Sequence, residues 1–467
     1  MRDSSCFRST STSPEAWGRR ALGALALAFS LSACSRASET EFDCSPQGRK
    51  AFIASIMTDF YLWYDRVPEV DYQAAESPEA LMEQMTYREL DHWSGIQQQA
   101  QRTEFFDQGR FQGFGYTLGE DPEGGLRISW VHEGSAAGRA GLDRGALIVG
   151  VNGRDVADLS AGELGAELGH EVVVHRIQEL DGTLRDVELR QGDVSITSVK
   201  GVTVLDTAHG KVGYLMFTTF VRPGEDELRA AFTTFREQGV TQLVIDLRYN
   251  GGGLLSTAAL LGSLIDAGAA GQPLIVETYN DQHPDLNRRR LMFNTPEAID
   301  VSRVVFLTTG RTASASEQVI NGLRPYLQVD VVGSRTLGKP VGADSWSHCG
   351  YAISPITFHS LNVDGEGDYF QGIAPVCEAP DDLLHRLGDP EETQLKAALR
   401  VLDDRGCATS DELSSSLLGE DELDSAPSLR PTAARVGARP AAPLFPAPSR
   451  AESRLPEGPL PELPGWY

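Results

Sequence analysis

Between Arg49 and Tyr64 apolar residues return at three- and four-residue intervals (Phe52, Ile53, Ile56, Phe60, Leu62, Trp63), the spacing of one face of a helix. A second helical stretch runs from Pro78 to about Glu89, so a small helical unit is predicted on the N-terminal side. Near Gln101 the period changes. Short runs separated by glycines (Leu126 to Val131, Ala146 to Val151, Val172 to His175) predict a β-rich unit. From about Val194 strands and helices alternate: Val212 to Phe217, a helix from Glu225 to Gln238, Leu243 to Leu247, a helix after Gly253, Val304 to Thr308, and a helix after Thr312. Such alternation predicts an α/β core. Beyond Cys407 the pattern gives way to Ser, Pro, Ala and acidic residues. A segment with so few large apolar residues cannot offset its ordering entropy, and a disordered tail is expected.

At 467 residues the chain is too long for one core, and about 150 residues per domain suggests roughly three units. The formal charge of -25, from 66 acidic against 41 basic residues, argues against a nucleic-acid partner, which needs a concentrated basic surface. The first 34 residues read as an export signal, because Arg19 and Arg20 precede an apolar run from Ala21 to Leu31 that is too short to span a bilayer. That run ends in Leu31-Ser32-Ala33-Cys34, which resembles a bacterial lipobox. The resemblance implies acylation of Cys34, a membrane anchor through that lipid, and a place on the periplasmic side of the envelope. Ser35 after the cysteine leans towards the outer membrane. An ordinary secretory signal is the alternative.

Removing Cys6 with the signal and assigning Cys34 to lipid leaves Cys44, Cys349, Cys377 and Cys407, an even number that suits an oxidising compartment. Three pairings are possible. Cys349 with Cys377 and Cys44 with Cys407 are favoured, since each closes a loop or ties down a terminus; four separate buried thiols are the alternative. No two of these cysteines have zinc-ligand spacing. His170 and His175 flank a Glu-Val-Val-Val run that resembles a zincin motif with one residue too many, and three valines favour a strand. Both histidines are therefore expected at the surface or at a strand end.

The order Gly113-Phe114-Gly115-Tyr116, Val131 to Ala137, Ala140-Gly141-Leu142, Gly145 and Val151-Asn152-Gly153 resembles a PDZ domain. In that family, backbone N–H groups of a glycine-containing loop receive a peptide's terminal carboxylate while the peptide adds a strand to a sheet edge. The resemblance implies that Gly113, Phe114, Gly115 and Tyr116 form this cradle, with Phe114 and Tyr116 lining the side-chain pocket.

Thr312-Ala313-Ser314-Ala315-Ser316-Glu317 lies between an apolar strand and an amphipathic helix. A serine there is exposed to unpaired helix amides, although Ser314 with Glu317 also fits a capping box, which the fragment alone favours. Its neighbours change the reading. Leu243 to Gly253 upstream, and Val331 to Lys339 downstream, resemble the catalytic core of C-terminal processing (tail-specific) peptidases. Tyr61 to Tyr64, Asp91 to Ser94, Gly213 to Leu215 and Asp368 to Ile373 extend the resemblance over roughly 42–402. Carried over by motif, it implies Ser314 as nucleophile, Lys339 (25 positions later) as general base, and the amides of Gly252 or Gly253 and of Ala315 as oxyanion donors. Two departures stand out: Ala343 where some members have a glutamine that positions the lysine, and Pro325 where some have an aspartate. The lysine's third partner is therefore left open.

A lysine of ordinary pKa about 10.4 is protonated at neutral pH and accepts no proton, so Lys339 is expected to be buried without a carboxylate partner. The segment 333–340 nearly matches a P-loop, but Pro340 stands where a magnesium-holding hydroxyl is required. No Gly-x-Ser-x-Gly elbow occurs. The expectation is an α/β protein: a signal (1–34), a helical N-terminal domain (35–100), an inserted PDZ-like domain (101–193), a crotonase- or ClpP-like catalytic domain (194–406) and a tail (407–467). It would cleave proteins or peptides with free C-termini, without cofactor or metal. The alternative is a binding protein that keeps the fold without catalysis.

Overall fold

The computed structural model describes residues 42–120 and 124–407; the expected signal, the expected lipidation position Cys34 and the expected tail past 407 lie outside the described residues. The first helix, Pro46–Asp59, starts where the Ser45 hydroxyl accepts from Gly48 N and proline occupies the first turn, a position that needs no donor. It buries Ile53, Ile56 and Met57 against Leu81 and Met82 of the helix Pro78–Gln84. This second helix is shorter than its apolar pattern predicts, stopping at Gln84. The same cluster takes in Val341, Ile353 and Ile356 from the far end of the chain, so the helical unit shares its core with the strands that precede and follow the hairpin turn near Cys349.

The α/β core is a six-stranded sheet in the order Val199–Thr207, Gly210–Phe217, Gln242–Asp246, Arg303–Thr308, Gln328–Gly333, Cys377–Glu378. Only its first pair is antiparallel. Parallel strands need crossover connections and are covered on both faces. One face carries the helices Gly224–Gln238, Leu255–Ile265 and Ala315–Leu323 over Leu215, Phe217, Ile245 and Phe306, while Thr393–Leu402 covers the other through Leu395 and Ala398. A four-stranded antiparallel sheet (Arg288–Leu291, Pro273–Tyr279, Ile356–Leu361, Val341–Ala343) stands beside it.

The PDZ-like unit is an antiparallel sheet ordered Tyr116–Glu120, Leu126–Val131, Leu147–Val151, Val172–Gln178, Leu184–Arg190, with the helix Ala161–Leu168 packed on its core through Leu164 and Leu168. Tyr116–Glu120 is an edge strand. Arg110–Gly113 and Gly192–Ser195 pair as a two-stranded neck at the unit's entry and exit. Trp130 meets Met216, Tyr249 and Leu383 in a small buried cluster between this unit and the main sheet. His175 departs from expectation: it lies on the strand Val172–Gln178 but is fully buried, with Nε2 2.7 Å from the Tyr116 hydroxyl.

The cysteine pairing also differs from the favoured one. Cys44 bonds Cys349 and Cys377 bonds Cys407, with Cα separations of 5.5 and 5.3 Å. The reason is packing. The first helix lies along the hairpin Trp346–His348/Tyr351–Ser354, where Phe52 stacks on His348, and this brings Cys44 to the hairpin turn. Cys377 sits on the last strand of the main sheet, and Thr393–Leu402, packed on that sheet, delivers Cys407 beside it.

Candidate active site

Ser314 ends a loop that leaves the strand Arg303–Thr308 and enters the helix Ala315–Leu323. The loop is fastened to the turn after Gln242–Asp246: Thr312 Oγ1 donates to Leu247 O at 2.7 Å, Ala313 N to Asn250 O at 3.1 Å, and Ser316 Oγ to the same oxygen at 3.0 Å. Ser314 adopts φ 55°, ψ -120°, whereas a serine that merely caps a helix keeps an extended backbone. A non-glycine residue held there is strained by about 1 to 3 kcal/mol, and such strain gathers at functional sites.

Glu317 supplies the restraint. Its buried carboxylate accepts from Ser314 N (2.8 Å), Thr336 Oγ1 (2.6 Å), Gly338 N (2.7 Å) and Lys339 N (2.8 Å). Ser314 N and Lys339 N bond the same oxygen, so the two backbone nitrogens are no more than twice 2.8 Å apart. Burial raises the Glu317 pKa against these four donors. In the sequence Glu317 fits only a cap for Ser314; the second role, towards the lysine loop, depends on a contact 22 residues away.

Lys339 is 7% exposed, and burial pushes its pKa down to about 8, opposed by the nearby charges of Asp91 and Glu317. Its Nζ lies 5.4 Å from the centre of the Trp93 ring, a contact that favours the cation and so also works against burial. Two buried carboxylates near the lysine were not anticipated, but their oxygens serve other donors. Asp91 accepts from Tyr61 OH (2.8 Å), Trp93 N (2.8 Å), Ser94 N (2.9 Å) and Ser94 Oγ (2.5 Å). The Asp91-His92-Trp93-Ser94 segment thus forms a roof over the lysine. Ala343 and Pro325 supply no substitute partner: the groups found around Lys339 come from Asp91, Trp93 and Glu317.

The glycine turn stands opposite the serine. Gly252 has φ 107° and approaches so closely that a Cβ there would lie 2.8 Å from Ser314 Cβ; one on Gly253 (φ 135°) would meet Phe220 O at 2.2 Å. Gly252 N donates to Asn250 Oδ1 at 2.9 Å. Its amide is therefore engaged, while the amides of Gly253 and Ala315 have no acceptor among the described residues. Beneath this turn Arg248, fully buried, is paired with Asp246, Asp381 and Glu392.

In the PDZ-like unit Phe114 O accepts from Ala137 N (3.0 Å) and Gly115 O from His132 N (2.8 Å). In a trans peptide the following N–H points the opposite way, so the Gly115 and Tyr116 amides face the open side. Gly113 is held in the neck by pairing with Gly192. The Phe114 and Tyr116 rings stack at 5.9 Å, with the buried His175 ring edge-on to both.

Three segments of the chain match family models: Peptidase family S41 over 211–375, Peptidase S41 N-terminal domain over 49–95, and PDZ domain over 127–178. Carboxyl-terminal-processing peptidase 3 of Arabidopsis thaliana is 27% identical over 50% of this chain and 46% of its own length. Carboxy-terminal processing protease CtpA of Bacillus subtilis is 26% identical over 62% of this chain and 63% of its own. The chain thus spans less than two thirds of the length of these relatives. The crystal structure of an S41 protease from Bacteroides fragilis superposes with a TM-score of 0.61 at 28% identity, over 76% of this chain and 97% of that one. The order of N-terminal, PDZ and peptidase segments, together with the shared fold, places this chain in peptidase family S41.

Proposed function

We propose that the protein is a serine endopeptidase that cleaves near the C-termini of exported or envelope proteins. Neutral Lys339 takes the proton from Ser314 Oγ as that oxygen attacks the scissile carbonyl carbon. The oxyanion is received by the Gly253 and Ala315 amides, which have no acceptor among the described residues. The lysine then returns the proton to the leaving amine, and water hydrolyses the acyl-enzyme. The observation that supports this reading is the single Glu317 oxygen shared by Ser314 N and Lys339 N, which draws the two backbones together, with the pKa of the buried lysine brought down to about 8. Ser314→Ala and Lys339→Ala should each abolish hydrolysis with the melting transition retained, and a fluorophosphonate adduct should map to Ser314. Full activity in the Lys339 variant would remove the dyad, and two inert variants of a protein that still binds peptide but never cleaved it would leave a binding protein.

The PDZ domain is proposed to capture the free C-terminus at Gly113 to Tyr116, supported by the open-facing Gly115 and Tyr116 amides. Amidating a substrate's terminal carboxylate should raise KM, and unchanged kinetics would deprive the cradle of this role. The protein is further proposed to be exported and lipid-anchored through Cys34 on the periplasmic side, at the outer membrane. Mass analysis of envelope protein should find acylated Cys34 as the N-terminus; an unmodified Met1 would refute it.

A further inference from the structure

The free edge of Tyr116–Glu120 is already occupied at one point. Arg311, three residues ahead of Ser314, donates from Nη1 to Leu118 O at 2.5 Å, and its guanidinium carbon lies 5.8 Å from the centre of the Tyr249 ring. Leu118 pairs with Ile128, whose N–H donates to Ala146 O and whose carbonyl accepts from Gly145 N, both on the opposite side of its strand. Leu118 is therefore in a non-hydrogen-bonded pair, and its own N–H and carbonyl face the open edge.

Strand addition sets the register of an incoming tail. With the terminal carboxylate at the Gly115 and Tyr116 amides, edge groups alternate along the strand. Tyr116 then faces the last peptide residue, and Leu118 faces the residue two before it. The N–H of that third residue from the end needs the Leu118 carbonyl. A second lone pair does not resolve the conflict, because an added strand lies about 4.8 Å away and a guanidinium bonded at 2.5 Å stands inside that spacing.

We propose, on the reading of the PDZ domain as a C-terminus receptor, that Arg311 competes with the third residue of a docked tail for the edge at Leu118. Capture of a tail of three or more residues thereby releases Arg311 from the strand and removes one of the bonds that hold the loop leading into Ser314. That loop is bonded at Thr312 to the segments that lead to the glycine turn and to Lys339: Thr312 Oγ1 to Leu247 O, and Leu337 N to Thr312 O at 2.9 Å. By linkage, whatever Arg311 subtracts from peptide affinity, bound peptide subtracts from the hold of Arg311 on the strand.

The test uses the full chain carrying Ser314→Ala, so that peptide persists, and a fluorescein-labelled hexapeptide with an apolar free C-terminus read by anisotropy. Adding Arg311→Ala should tighten binding about five-fold. A C-terminal dipeptide, which stops short of Leu118, should compete equally well against both proteins. Amide exchange across 309–313 should quicken when the hexapeptide binds the protein that retains Arg311. Equal or weaker hexapeptide binding by Arg311→Ala, or unaltered exchange, would overturn the competition while a preference for free acid over amide left the cradle standing. Loss of that preference would overturn the cradle and the competition together.

Discussion

Lowering the assay pH from 9 to 6 should extinguish the proposed hydrolysis along the titration curve of one proton. Burial brings Lys339 from 10.5 to about 8, which makes its charged form roughly 3 kcal/mol less favourable than in water. At pH 7 about a tenth of the molecules would hold a neutral lysine, and at pH 6 about a hundredth. In a fluorogenic-peptide assay, kcat/KM should rise nearly ten-fold per unit from pH 6 to 7 and level off above 8. Asp91 favours the charged lysine, so Asp91→Asn should move the limb to lower pH. A profile flat between pH 6 and 9, or a limb that Asp91→Asn leaves in place, would refute the assignment of Lys339 as base. Stability carries the same signature. Between about pH 8 and 10.5 the unfolded chain binds a proton that the native lysine does not, so this group's contribution rises with pH through that window. Below pH 8 the folded state bears the whole burial cost, and urea midpoints measured across the window should follow.

Glu317→Gln keeps one acceptor oxygen but turns an NH2 towards donors, leaving two of the four bonds unmatched. A loss of roughly 2 to 5 kcal/mol in urea melts, and kcat lower by about a hundred-fold, are expected; an unaltered kcat would show that the shared oxygen does not position the pair. Ser316→Ala removes one of two donors to Asn250 O, so about 1 kcal/mol of stability should go while most activity stays, as kinetics beside a melt would establish. Peptide mapping without reductant should recover Cys44 with Cys349 and Cys377 with Cys407. In the chain-entropy estimate the first, spanning 305 residues, contributes about 5 to 6 kcal/mol and the second, spanning 30, about 3 to 4. Cys349→Ser should therefore lower the melting temperature more than Cys377→Ser, and the reverse order would argue against that pairing.

Much of this molecule was legible in its residues. The helix near Arg49, the strands around Val212, Leu243 and Val304, and the helix after Ser314 follow from apolar periodicity, which records which face of an element is buried. The serine, the lysine and the glycine turn were singled out by a resemblance spread over several motifs, whereas the serine fragment alone favours a helix cap. What only the folded chain decided were the pairings across long stretches. Cys44 meets Cys349, 305 residues on, because a helix lies along the hairpin that carries it, and no spacing rule contains that. Gly252 and Gly253 are neighbours with the same conformational licence, yet the Asn250 side chain engages one amide and leaves the other open. Glu317 fits a capping box in sequence, and its tie to Lys339 exists only where two loops converge. Asp91 and Trp93 roof the lysine, and Arg311 reaches the PDZ edge strand, through contacts between units. Periodicity is set by the nearest few residues. Partners for buried polar groups are set by which surfaces the core brings together, and that emerges only when the whole chain packs.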